Sequence, residues 1–254
     1  MVIAITGVVI AMVAIFIVPS VTAYFSSSTR AQLGDEADTA LRRMTRDLAA
    51  ALPNSVRIAN NSVELIPVSA AARYAVGSEA GDPLVFGAVD SSFAIVGPAL
   101  KLSAGNQRLA WYNLGNGVPD ADAYTLANVR VASNAAGNVT NVNISGAALP
   151  VPLQAAPYRV YAIEQPVTYR CDTAAGTLTR YTGYGFQASQ PNPPSGGSVA
   201  VLARRVQSCS FSYDAPAITA RYALVTLSLQ LGATSSGGNE VVTLYHTVHV
   251  DNLP

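Results

Sequence analysis

The chain has 254 residues, 15 basic and 15 acidic, with only 12% of residues charged and 50% hydrophobic. That balance argues against two classes at once: no basic patch supports nucleic acid as a main partner, and no acidic run marks a solvated tail. The length fits one elongated element and one globular body, and a body rich in Ala, Ser, Thr, Asn and Gly is common among secreted surface proteins.

Met1 to Val18 carry no charged side chain and read as one apolar helix. At about 1.5 Å per residue they span roughly 27 Å, just short of a ~30 Å bilayer core, and extension to Phe25 exceeds it. Pro19 removes the hydrogen bond its N–H would give to Ile15, so a local kink is expected there and not a stop. Ala4, Gly7, Ala11 and Ala14 recur at spacings of three and four along one face. Small residues so placed let helix backbones approach closely where the surroundings offer no hydrophobic drive. Val2, Val9, Val13 and Phe16 make the opposite face bulky.

Two readings of this segment stand side by side. Val21-Thr22-Ala23 passes as the cleavage site of a secretory signal. A retained helix is favoured by the lack of a basic stretch ahead of the run and by a run longer than the ~7–15 residues of a signal core. The segment after Arg30 favours it more. Leu33, Ala37, Leu41, Met44 and Leu48 form a continuous helical stripe. The other faces carry Arg30, Asp35, Glu36, Asp38, Arg42, Arg43, Arg46 and Asp47, with Asp38 and Arg42 in the favourable i,i+4 order. The helix is predicted to end near Pro53-Asn54, because the residue before a proline is pushed out of the α region. Residues 1–53 are therefore read as one helical segment, apolar over 1–25 and amphipathic over 26–53, and residues 1–52 make a rod of about 78 Å at 1.5 Å per residue.

From Ser55 the period turns from helical to alternating, and residues 54–254 read as a β-rich body. Ser62 to Val68, Arg73 to Val76, Pro83 to Phe86, Phe93 to Val96 and Arg108 to Leu114 are strand candidates separated by Gly, Pro, Asn and Asp. Asn128 to Val131 and Asn138 to Ile144 read as a hairpin around Ala136-Gly137. Strand order across residues 60–155 stays open. Tyr158 to Cys171 is a long strand broken at Pro166, and Thr177 to Tyr184 returns beside it. Ala200 to Tyr213 follows, with a break at Arg204-Arg205. Ala223, Val225, Leu227, Leu229 and Leu231 alternate with polar residues and mark a strand with one buried face. Its partner carries Val242, Leu244, His246, Val248 and Val250, and Gly232 to Asn239 is expected to be the flexible connection. Gln190 to Gly197 reads as a surface loop. The fold class is α+β, an antiparallel sheet body with the amphipathic half of the helix packed on it.

Cys171 and Cys209, in a chain carrying an export or membrane helix, read most simply as one disulfide across two strands, with two free thiols as the alternative. Closing a loop of about 39 residues would stabilise by roughly 4 kcal/mol in the chain-entropy treatment. His246 and His249 lie three apart on a strand and so face opposite sides. His246 is expected half-buried and His249 on the surface. Asp120 and Asp122 could open a Ca²⁺ loop, but the glycine and terminal glutamate of such a loop are missing. No nucleophile elbow, P-loop or metalloprotease helix occurs. No catalytic, cofactor-binding or metal residue is singled out, and an enzyme is not expected. Tyr181, Tyr184 and Phe186 with Trp111 and Tyr112 are either core or an aromatic surface for a glycan or another subunit.

Val2 to Ala11, reading Val-Ile-Ala-Ile-Thr-Gly-Val-Val-Ile-Ala, resembles the N-terminal helix of type IV pilins and type II secretion pseudopilins. Leu41 to Leu48 and Ala51 to Arg57 are similar to the larger minor pilins, J-type minor pseudopilins included. Tyr169-Arg170-Cys171-Asp172, Val206 to Tyr213 and Val248 to Pro254 resemble the minor pilins of the mannose-sensitive haemagglutinin (MSHA) pilus system. The family's prepilin peptidase site, a Gly followed by Phe, Thr, Leu and an acidic residue, is not in this chain, which starts inside the hydrophobic segment. Gly7 aligns with a glycine of the family helix, so several mature residues are expected ahead of Met1. The resemblance implies a subunit held in the inner membrane with its body in the periplasm, then drawn into an extracellular filament. There it would contact major and other minor pilins through its helix. It implies a minor pilin that helps initiate assembly, its bulky body suited to the tip, with a minor pseudopilin or a glycan-binding tip adhesin as alternatives.

Overall fold

A computed structural model describes residues 1–214, 222–235 and 238–254. One helix, α1 (Val2–Ala49), opens the chain. Leu33, Ala37, Leu41, Met44 and Leu48 have 0% exposure, joined by Ala40 at 1%. Their spacing places all six on one side of the helix, and that side is covered by sheet. The helix runs through Pro19 without stopping. Next to the proline, Ser20 Oγ donates to the Phe16 carbonyl and Thr22 Oγ1 to the Pro19 carbonyl.

The helix ends at Ala49 and not at Pro53 as its sequence predicts. Strand pairing takes the last turn: Leu52 N–H donates to the Ile66 carbonyl at 2.7 Å and Val68 N–H to the Ala50 carbonyl at 2.8 Å. The rod is therefore about 72 Å long at 1.5 Å per residue.

Among the described residues sixteen strands follow in chain order. The first five are β1 (Arg57–Ala59), β2 (Ser62–Leu65), β3 (Val68–Tyr74), β4 (Ser92–Val96) and β5 (Leu100–Leu102). Then come β6 (Arg108–Trp111), β7 (Val129–Ala132), β8 (Gly137–Val139), β9 (Asn141–Ser145) and β10 (Arg159–Ile163). The last six are β11 (Val167–Asp172), β12 (Thr177–Thr182), β13 (Ser198–Arg204), β14 (Val206–Asp214), β15 (Tyr222–Ser235) and β16 (Gly238–Asp251).

They form a five-stranded sheet β1-β2-β11-β12-β13, a three-stranded sheet β14-β15-β16, a closed barrel β10-β3-β4-β9-β7-β6, and the small pair β5-β8. The α1 stripe, Val63, Leu65 and Tyr169 of the five-stranded sheet, and Val225, Leu227 and Leu229 of β15 share one core. The barrel has its own core around Phe93, Trp111 and Val160. A third cluster, with Leu52, Ile66, Tyr124 and Tyr161, lies where the two meet.

The α+β class holds, but the body is not one sheet assembly around one core. The breaks in the sequence pattern are the places where the chain changes sheet. The strand expected over Ser62 to Val68 is divided, because Ile66-Pro67 leads from the five-stranded sheet into the barrel, and Pro166 lies in the return from β10 to β11. Arg205, at φ 57°, separates β13 from β14 of the next sheet. β2 and β11 are direct neighbours, with Leu65 opposite Val167. The barrel is thus an insertion that leaves and rejoins one sheet at adjacent points.

Two further local expectations fail. Pro83 to Phe86 is not a strand: Leu84 packs into the barrel core from a loop, its N–H bonded to the Ala75 carbonyl. The stretch from Gly232 is not a connection either, because the β15–β16 ladder continues through Gly232–Val241 to Ser235–Gly238. Ser236 and Gly237, the rest of that expected connection, lie outside the described residues.

Candidate functional site

The feature that sets this chain apart is the half of α1 that the body does not cover. No residue before Leu33 is buried. Its most apolar 18-residue window has a mean hydropathy of 2.8 and is 0% buried, so the helix is long and apolar enough to cross a membrane. Ile3 is 87% exposed and Phe16 74%. A contiguous apolar surface of this extent marks a membrane or protein contact. Ala4, Gly7, Ala11 and Ala14 are all exposed within this half. A Cβ built on Gly7 meets nothing within 4 Å. Glycine within a helix is about 1 kcal/mol less favourable than alanine, and nothing in this chain requires it there.

Below this half, polar contacts lock the helix to the body. Ser26 Oγ meets Ser235 Oγ at 3.3 Å. The Arg30 guanidinium donates to Glu240 at 2.7 and 3.1 Å and holds that carboxyl below the usual carboxylate range. Glu36 accepts from the Arg204 N–H at 2.6 Å and from the Arg205 guanidinium at 2.8 Å. Asp47 accepts from Tyr169 Oη at 2.6 Å and from Arg180 at 2.9 and 3.0 Å. Burial, reinforced by the Asp47 carboxylate, pushes the Tyr169 hydroxyl up. Sequence reasoning set these charges on the free faces of the helix. Several are docking contacts on the flanks of the apolar stripe, and only their register against distant strands reveals it.

Cys171 on β11 and Cys209 on β14 are bonded, with Cα atoms 6.3 Å apart. They tie the five-stranded sheet to the three-stranded one inside the core that seats the helix. His246 is half-buried, its Nδ1 3.3 Å from Thr45 Oγ1 on α1, and His249 is exposed on the other face.

The aromatic residues do not come together as one surface. Trp111 has 0% exposure and packs edge-on against Phe93 in the barrel core, with centroids 5.9 Å apart. Tyr184 Oη is bonded to Thr168 and Glu64. Phe186 lies under the Arg108 guanidinium. Half-buried Tyr181 sits on β12 of the five-stranded sheet, and Tyr112, also half-buried, follows barrel strand β6. The Asp122 carboxylate is engaged by the N–H groups of Gly117 and Tyr124, each at 2.8 Å, and serves its own loop.

A buried ion pair escaped the sequence reading. Arg57 and Glu64 face each other across the β1–β2 hairpin, with Nε to Oε2 at 2.7 Å and Glu64 fully buried. The signal available was Asn60-Asn61, since Asn60 turns the chain at φ 52° and sets that register.

Comparison with known protein families, characterised proteins and solved structures finds no match for this chain.

Proposed function

We propose that this chain is a minor pilin of a type IV pilus of the MSHA kind, a structural subunit that helps to initiate assembly and sits at the filament tip. One observation carries the reading. A single helix has an uncharged, exposed half with a small-residue face, and continues without interruption into a half fixed to a β-rich body. An apolar rod of this kind is satisfied first by a lipid bilayer and then by other helices of the same kind. In this reading residues 1–25 anchor the subunit in the inner membrane, with the body in the periplasm, and later pack with major and other minor pilins. A prepilin peptidase processes the precursor, as the family resemblance implies. The segments around Cys171, Cys209 and the C-terminus resemble the MshO subunit. A minor pseudopilin of a type II secretion system would use the same helix, and co-purification with pilins or with secretion components separates the two. The adhesin alternative loses the aromatic patch on which it was based.

Gly7→Leu or Ala11→Leu should leave the protein in the membrane fraction while reducing piliation. Overpacking a close helix contact costs about 1–3 kcal/mol, which corresponds to roughly five- to 150-fold in an assembly equilibrium. Pilus counts by electron microscopy that match wild type would remove the small-residue face from the account.

A further inference from the structure

Arg73 on β3 and Arg159 on β10 stand directly opposite each other where the two barrel strands pair. Residues so placed share one face of the sheet with Cβ atoms about 5 Å apart, and like charges in that position repel. Among the described residues neither arginine forms an ion pair, although seven others do. The Arg73 side chain has no hydrogen-bond partner there either, and Arg159 also borders Tyr161 and Asp251 on its other side.

Both arginines line a pocket of about 360 Å³ in the barrel wall, together with Ala71, Ala72, Val96 and Pro98. That volume lies at the small end of ligand sites, roughly 300–1,000 Å³. A guanidinium offers a planar fork of donors matched to carboxylate and phosphate oxygens. Two arginines that pair across the strands and line one pocket can address one oxyanion jointly, and the bound charge would relieve their repulsion. The methyl groups and the proline ring offer an apolar surface for the carbon skeleton that carries the anion. We propose that Arg73 and Arg159 form a binding site for an oxyanion, carboxylate or phosphate, borne on a group of about monosaccharide size. The site lies on the inserted barrel and is independent of the filament reading.

The test is side-chain Nε–Hε NMR of the ¹⁵N-arginine-labelled full chain in maltoside micelles. It is titrated separately with digalacturonate, inorganic phosphate and neutral galactose. Saturable shifts confined to Arg73 and Arg159 are expected, with a Kd of about 0.1–1 mM. They should weaken severalfold in ~0.5 M NaCl, where exposed charges are screened. Tighter binding of digalacturonate assigns the site to acidic sugars, and tighter binding of phosphate assigns it to phosphorylated groups. Affinity should fall about tenfold or more in R73Q/R159Q. The single variant R73Q, which alters only the exposed, uncontacted member, should fall severalfold and keep the wild-type melting point. Absence of shifts with both anions, equal shifts with galactose, or unchanged affinity in R73Q would overturn the proposal.

Discussion

Arg57→Ala should destabilise the protein by about 3–5 kcal/mol, the effect of stranding one member of a buried ion pair. Besides its bond to Glu64, Arg57 donates from Nη1 to Asn116 Oδ1 at 2.7 Å and to the Ala188 carbonyl at 2.6 Å, and from Nη2 to the Gln187 carbonyl at 2.8 Å. Its guanidinium carbon sits 3.5 Å from the centroid of the Tyr124 ring. One side chain thus pins the loop after β12 to the β1–β2 hairpin and to the barrel loops.

Burial pushes the Glu64 carboxyl up, opposed first by Arg57 and then by the Tyr184 hydroxyl, which donates to it at 2.7 Å. Without Arg57 the folded-state pKa of Glu64 rises further. A carboxyl whose folded pKa lies above its unfolded value contributes stability that is present below the unfolded pKa and lost as pH rises through the folded one. The deficit of R57A should therefore be largest at about pH 7 and smaller at about pH 4.5, near the reference value of a glutamate. Adding Glu64→Gln should recover about 1 kcal/mol or more at neutral pH, because the amide oxygen still accepts from Tyr184 and no charge is buried. Denaturant titrations at the two pH values measure all three quantities. An R57A deficit independent of pH would show that its origin is not the Glu64 charge.

Loss of the Cys171–Cys209 bond should have an effect of similar size. The two residues are separated by 38 positions, and opening that loop in the unfolded chain corresponds to about 4 kcal/mol. For a chain of this length the change is roughly 8–16 °C in melting temperature. The consequence should be local as well as global. The bond joins the two sheets on which the α1 stripe rests, whereas the barrel core has no residue in common with that cluster. In C171S/C209S, hydrogen exchange should therefore quicken at Leu33 to Leu48 and in β14 to β16 before it quickens around Trp111 and Val160. A melting point within a degree or two of wild type would mean that packing alone holds the two sheets together.

The parts of this fold that read directly from sequence are those in which one element faces one partner. The Leu33 to Leu48 stripe shows because a helix packed on a sheet buries a single side, and the middles of β15 and β16, Ala223 to Leu231 and Val242 to Val250, show because a long alternation has only one solution. The breaks at Pro166 and Arg204-Arg205 were visible as breaks. A proline or a left-handed residue does not encode which strand the next segment will pair with, so the changes of sheet were not. The barrel was illegible for a related reason. Its strands are four to seven residues long and find distant partners, Phe93 with Val142 and Val160 with Trp111. Period-2 signals over so few residues do not specify register. Trp111 was ambiguous because an aromatic strand residue serves a core or a surface equally well, and closure of the barrel decides for the core. Of the candidate site, the uncovered apolar helix and the cysteine pair were legible. Its docking charges were not, because Arg30 and Glu240, or Asp47 and Arg180, are far apart in the chain and meet only through tertiary register.

The most direct test of the filament reading is the intact mass of the mature protein from the native membrane fraction. A subunit built on this helix should retain the whole apolar segment from Val2 to Phe25 and carry a methylated terminal amine, as the pilin resemblance implies. A mature terminus at Tyr24 would mean that the segment served only as a signal, and that the β-rich body acts alone.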